Sequence, residues 1–166
     1  MMQQYDEVAR EVAEKLTATD PAELSLGDGT GLPKRREVVA ILDGLMALMF
    51  PAYYRREDEG KQTREEIATG VFHLLTRQIG AAYSLAGEEV GERAGTLAAE
   101  ILSCVPGIRE KLLRDITALY EGDPAAKSPA EILLSYPGFY AIAVYRIAHE
   151  FYLRGIPFLS RMMTEH

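Results

Sequence analysis

Along most of this chain apolar residues return every three or four positions, the interval that lines one face of an α-helix. Tyr5, Val8, Ala9, Val12 and Leu16 form the first such stripe, and Thr19-Asp20-Pro21 is expected to end it. Ser25 to Pro33, SLGDGTGLP, reads as a glycine-rich loop. Pro33 is suited to open a second helix, since a first-turn N–H has no intrahelical partner to lose. Val38, Val39, Leu42, Leu45, Met46 and Met49 carry that helix, and Phe50-Pro51 stops it. Residues 52–62 are charged and irregular. Thr63 with Glu66 forms a capping box, heading a helix with Ile67, Val71, Leu74, Leu75, Gln78 and Ile79 on one side.

The second half continues in the same way. A helix is expected over Gly87 to Cys104, broken by Pro106-Gly107. Another carries Ile108, Leu112, Ile116, Leu119 and Tyr120 and ends at Gly122, a residue suited to a left-handed cap. Ser128-Pro-Ala-Glu131 is a second capping box, with proline at the favoured first helical position. Pro137-Gly138 interrupts that short helix. A long one, FYAIAVYRIAHEFYLRG, runs to Gly155, and Ile156 to Met163 begins one more helical segment. No run alternates with a period of two, and no hairpin signal occurs. The predicted fold is all-α, a multi-helix bundle of about seven or eight helices without a sheet. A single helical domain over 1–166 is expected, in three stretches: 1–32, an N-terminal helix and glycine-rich loop; 33–121, central helices; and 122–166, a loop and C-terminal helices.

Gly87, Gly91 and Gly95 are spaced to share one helix face. Glycine is a poor helix former, so the spacing suggests a close approach to another helix, within the domain or between subunits. The charges of Glu88, Glu89 and Arg93 exclude a membrane version of the motif.

Composition narrows the function. The 166 residues are 48% hydrophobic, enough for a core, and the net charge is −7. An acidic chain has no electrostatic reason to seek nucleic acid or an anionic membrane. Lys34-Arg35-Arg36 and Arg55-Arg56 read as solvated helix ends. The single cysteine, Cys104, excludes an internal disulfide and reads as a small buried hydrophobe. The N-terminus lacks a secretory apolar core, and no uncharged run nears the roughly 20 residues that span a bilayer. A cytoplasmic location is expected.

Catalytic patterns are missing. Three histidines occur, but His73 and His149 lack the Glu-x-x-His spacing of a di-iron bundle and the paired-histidine zinc pattern. Both read as structural, packed or hydrogen-bonded. Gly27-Asp-Gly-Thr-Gly31 has neither the preceding strand nor the Gly-Lys-Ser/Thr ending of a phosphate loop. No catalytic, cofactor-binding or metal-binding residue is assigned.

One stretch stands apart. Glu121-Gly-Asp-Pro-Ala-Ala-Lys-Ser-Pro-Ala-Glu131 stiffens a corner around one carboxylate, Asp123, locked against Pro124. Either Asp123 caps a turn before Ser128, or it holds a carboxylate out for a ligand. The run DPAAKSPAEILLSYPGFYAIAVYRIAHEFYLRGIPFLSRMMTEH resembles the helical N-terminal domain of serine O-acetyltransferases. The resemblance is carried, in order, by Asp123-Pro-Ala125, Tyr136-Pro-Gly-Phe139, Tyr145-Arg-Ile-Ala-His149 and Arg161-Met-Met-Thr-Glu-His166. Upstream, Gly31-Leu-Pro33 and Met49-Phe-Pro-Ala-Tyr53 resemble the longer N-terminal extension of one bacterial subclass.

The resemblance implies a parent enzyme that moves an acetyl group from acetyl-CoA onto L-serine, the first step of cysteine biosynthesis. Its general-base histidine and acetyl-CoA site lie in a left-handed β-helix of hexapeptide repeats, which this chain would precede. The chain alone is therefore expected to be inactive and to bind no cofactor. The resemblance further implies that Asp123, with Pro124, contacts the serine amino group. Its implied partners are other copies of the chain, as a trimer or dimer of trimers, and cysteine synthase. The alternative is a stand-alone, non-catalytic helical interaction module. Whether hexapeptide repeats follow His166 in the gene distinguishes the two.

Overall fold

A computed structural model of the chain describes residues 2–19, 31–54 and 62–166. Eight α-helices and no strand occur among the described residues, in the order α1 (Met2–Thr19), α2 (Arg35–Met49), α3 (Pro51–Tyr54), α4 (Arg64–Leu85), α5 (Arg93–Gly122), α6 (Pro129–Ser135), α7 (Pro137–Leu153) and α8 (Leu159–Thr164). The all-α expectation holds. The chain divides into two compact units, Met1–Thr30 and Gly31–His166.

The first unit contains α1. Its predicted stripe, Tyr5, Val8, Val12 and Leu16, is exposed. Glu11 and Lys15 form an ion pair one turn apart at 2.6 Å, and Thr17 Oγ1 donates to the Ala13 carbonyl. Asp20-Pro21, the expected stop, lies outside the described residues, as do Arg55-Arg56 and all of the glycine-rich loop before Gly31.

The second unit packs α2, α4, α5, α7 and α8 around one core. Ile41, Leu42, Leu45, Met46 and Met49 of α2 meet Leu75 and Ile79 of α4, with Ile101 and Leu112 of α5 and Phe139 and Phe151 of α7 also fully buried. Helix α2 begins at Arg35, later than Pro33 suggested. Its first turn is fixed by a distant residue: Gln78 of α4, the single buried polar side chain among the described residues, accepts the Lys34 N–H at 2.8 Å. The short helix α3 occupies the start of a segment expected to be irregular. The Thr63 box forms on both sides, with Glu66 N–H donating to Thr63 Oγ1 and Thr63 N–H to Glu66 Oε2.

Two expectations fail between Gly87 and Gly122. The helix predicted from Gly87 starts only at Arg93, because Gly87 (φ +75°) and Gly91 (φ +51°) are left-handed turn residues. They share no helix face with Gly95, and a Cβ at any of the three would meet nothing within 4 Å. The close approach instead belongs to Gly44 in α2, where a Cβ would overlap Val71 Cγ2 of α4. Pro106 also fails to break the chain: α5 runs through it to Gly122. A mid-helix proline costs about 3 kcal/mol. Ile101 before it and Ile108 after it are both buried, each contributing roughly 1.5–3 kcal/mol. A continuous helix that seats both offsets the proline.

Candidate functional site

Helix α5 ends at Gly122, which stays helical and is not the left-handed cap that the sequence suggested. Asp123 leaves the helix in extended backbone, φ −116° and ψ 104°, the region that a following proline favours. The Ala126 N–H donates to the Asp123 carbonyl at 3.0 Å, closing a turn with Pro124 at its second position. Within that turn the Ala125 N–H donates to Asp123 Oδ1 at 2.9 Å. Asp123 therefore caps a turn with one of its carboxylate oxygens.

Its other oxygen is held from elsewhere. Tyr136 Oη donates to Asp123 Oδ2 at 2.6 Å. Tyr136 sits between α6 and α7 and ends one helix while starting the next. Ser128 caps α6 by accepting the Glu131 N–H at 3.2 Å, with Pro129 in the first turn as expected. The return arm of the predicted box differs, because Glu131 Oε2 accepts from Lys127 N–H at 2.7 Å and not from Ser128. Tyr54 Oη donates to the Leu133 carbonyl at 3.2 Å, fastening α6 to α3. Arg146 of α7 grips both oxygens of Asp115 of α5, at 2.7 and 2.8 Å. These ties fix the corner against the bundle.

The electrostatics follow from the bonds. The Tyr136 hydroxyl first, then the Ala125 N–H, hold the Asp123 carboxyl below the usual carboxylate range. Tyr136 is pushed up to about 12, chiefly by its bond to Asp123. The pair is thus a neutral phenol donating to an anion at neutral pH. Asp123 is partly exposed, and Pro124 is exposed. Asp123 lines none of four grooves of about 350–610 Å³ on the described residues. The carboxylate lies on a partly exposed corner. A charge pair formed there in open water would be weak.

The remaining sequence candidates lie elsewhere. His149 is exposed and stacks between Tyr145 and Tyr152, with centroids at 5.8 and 6.2 Å. His73 is exposed against the edge of Phe72. Both were expected to be packed or hydrogen-bonded; what they make are surface ring contacts. Cys104 is half-buried and not the apolar core residue expected: Arg154 Nη2 donates to its Sγ at 3.1 Å. Burial, then a bond to Glu150, push its thiol up, which disfavours the nucleophilic thiolate. No cluster of His, Cys, Asp and Glu that could hold a metal occurs among the described residues. No described helix is long and apolar enough to cross a membrane. Sequence reasoning gave Tyr136 no role of its own. Its only local sign was a position before Pro137, where an extended residue joins two helices.

Comparison with known proteins bears on this corner. Residues 64–144 match the family described as serine acetyltransferase, N-terminal, a span that holds Asp123 and Tyr136. The plasmid serine acetyltransferase of Synechococcus elongatus is 32% identical over 148 residues, covering 81% of this chain and 46% of that protein. The serine acetyltransferase of Bacillus pumilus is 44% identical over 54 residues, covering 32% of this chain and 25% of that protein. The solved structure of Entamoeba histolytica serine acetyltransferase 1 in complex with L-cysteine aligns with TM-score 0.61 and 31% identity, over 75% of this chain and 44% of that one. Isoform 3 from the same organism, in complex with cysteine, aligns with TM-score 0.63 and 26% identity, over 99% of this chain and 56% of that one. The chain thus spans less than two thirds of each of these relatives. Over residues 64–144 it matches the N-terminal domain of the serine acetyltransferase family.

Proposed function

We propose that this chain is the helical portion of a serine O-acetyltransferase and that Asp123 orients L-serine through its ammonium group. The observation that carries the reading is the anchored Asp123 carboxylate, held at 2.6 Å by Tyr136 and 2.9 Å by Ala125, inside the span that matches the family. A fixed carboxylate suits an ammonium, since a charge-assisted hydrogen bond gives direction as well as energy. Pro124 keeps Asp123 extended and lowers the entropy of holding it there.

In the proposed reaction the serine hydroxyl oxygen attacks the thioester carbon of acetyl-CoA. A base takes the hydroxyl proton, and the coenzyme A thiolate leaves and is protonated. The histidine base and the acetyl-CoA site belong to a β-helix portion, and the chain alone is inactive. The partial exposure of Asp123 fits this division, because a second wall must exclude water before the ion pair gains strength. L-Cysteine shares the ammonium and carboxylate of serine, so the same corner would orient it. The proposed setting is a cytoplasmic, self-associating enzyme that meets cysteine synthase.

The test is steady-state kinetics of Asp123→Asn in the full-length enzyme. Loss of a charged hydrogen bond of about 1.5–3 kcal/mol lowers kcat/KM for serine roughly tenfold to a hundredfold. The KM for acetyl-CoA stays near its original value. Equal losses for both substrates would point to damaged folding and overturn the assignment.

A further inference from the structure

We infer that Tyr136 is a positioning residue for this reaction: its hydroxyl sets the direction in which the Asp123 carboxylate meets the substrate ammonium. The inference rests on the reading of Asp123 just given and adds a second residue to it.

The argument begins with what one anchor leaves free. The Ala125 N–H holds Oδ1 alone, and about that single bond the carboxylate can still swing. A second donor on Oδ2, from Tyr136, fixes the plane of the group. An ionised carboxylate accepts about four hydrogen bonds, so two such anchors leave acceptor sites on both oxygens. Those sites then have a set direction.

Tyr136 is itself well held. Its N–H donates to the Ile132 carbonyl at 3.2 Å, and its own carbonyl accepts from Phe139 and Tyr140 at 3.1 and 3.3 Å. Its backbone therefore belongs to α6 and α7 together, and Pro137 keeps it extended at φ −86° and ψ 109°. Helix α7 is tied to α5 by Arg146 and Asp115. The hydroxyl thus comes from a rigid mount on a different part of the chain than the corner it holds.

The choice of donor matters as well. Asp115 is gripped by an arginine, which neutralises it and makes the pair a structural tie. The two donors holding Asp123 are a phenol and a backbone amide, both neutral. They fix the carboxylate while leaving its charge available to a cationic ligand. The raised phenol, at about 12, keeps its proton across the neutral range, so the donor is not lost there. A tyrosine that served only to staple α5 to α7 would duplicate the Arg146–Asp115 tie.

The experiment is a double-mutant cycle in the full-length enzyme, reading kcat/KM for serine and KM for acetyl-CoA. Tyr136→Phe is expected to lower kcat/KM for serine roughly threefold to tenfold and to leave the acetyl-CoA KM within about twofold. Combined with Asp123→Asn it should cost no more than Asp123→Asn alone, because both changes act through one carboxylate. Additive losses, or a Tyr136→Phe enzyme equal to wild type beside an impaired Asp123→Asn, overturn the role of Tyr136 and leave that of Asp123 standing. An Asp123→Asn enzyme with no selective serine defect overturns both. Should Tyr136→Phe fail to fold, Asp123→Glu decides, since it keeps the charge but moves it off both donors. A loss for serine like that of Asp123→Asn supports positioning; wild-type kinetics overturns it.

Discussion

Two connections between helices solve the same problem in opposite ways. Between α4 and α5 the chain turns with glycine. Gly87 N–H donates to the Ser84 carbonyl at 3.0 Å and Glu88 N–H to the Tyr83 carbonyl at 3.0 Å, so the backbone satisfies itself around a left-handed residue. Between α5 and α6 the chain turns with proline and side chains. Asp123, Ser128, Glu131 and Tyr136 add side-chain bonds to the backbone bond from Ala126 to Asp123, and Gly122 stays in the helix. Both corners carry carboxylates, but Glu88 and Glu89 are simply exposed, whereas Asp123 is clamped at both oxygens. A turn closed by backbone alone places no carboxylate. A turn closed by side chains as well as backbone does so as part of its own closure.

That contrast can be broken in order of effect. The largest change is the functional one: Asp123→Asn should cost serine kcat/KM roughly tenfold or more, while Glu88→Gln, in the glycine corner, leaves it unaltered. Gly87→Ala should destabilise the protein by about 1 kcal/mol, the cost of a left-handed alanine, and lower Tm by about 2–4 °C in thermal denaturation. Ser128→Ala removes the cap of α6 and should cost about 1 kcal/mol in the same measurement. Gly122→Ala goes the other way. The residue is helical with nothing within 4 Å of an added Cβ, so alanine should stabilise by under about 1 kcal/mol.

The smallest effect is read by titration. Asp123 lies below its ordinary 3.8, so its bond contributes stability above that value and loses it as pH falls through the lower folded value. Tyr136 is raised from 10.0 to about 12, so its contribution is present below 10 and lost as pH rises through about 12. The clamp is therefore intact from weakly acid to mildly alkaline pH. Carbon-detected NMR should find Tyr136 titrating at about 12, and Tyr136→Phe should move the Asp123 midpoint upward. An unmoved midpoint would mean that Tyr136 does not donate to Asp123 in solution.

Much of this was legible in the chain itself. The periodicity gave α2, α4 and α7 because their buried residues recur at the helical interval, and the Thr63 box formed because both partners lie within one turn. Asp123 was legible because Pro124 restricts it and the surrounding motif resembles a family. The errors cluster where the deciding atoms are distant. Pro106 was read as a break since the loss is local, whereas the burial that offsets it is spread over Ile101, Ile108 and their neighbours in the core. Gly87, Gly91 and Gly95 were read by spacing, but positive φ at the first two removed the shared face.

What the sequence by itself determined, then, was the all-α class, most helix spans and the stiffened aspartate, because each depends on contacts within a turn or two of chain. Tertiary structure alone decided that Gly44 is the glycine of close approach and that Gln78 fixes the start of α2. It alone brought Tyr136 to Asp123. Those depend on segments that meet only once the helices have packed, and no local pattern records which side chain arrives from the other side.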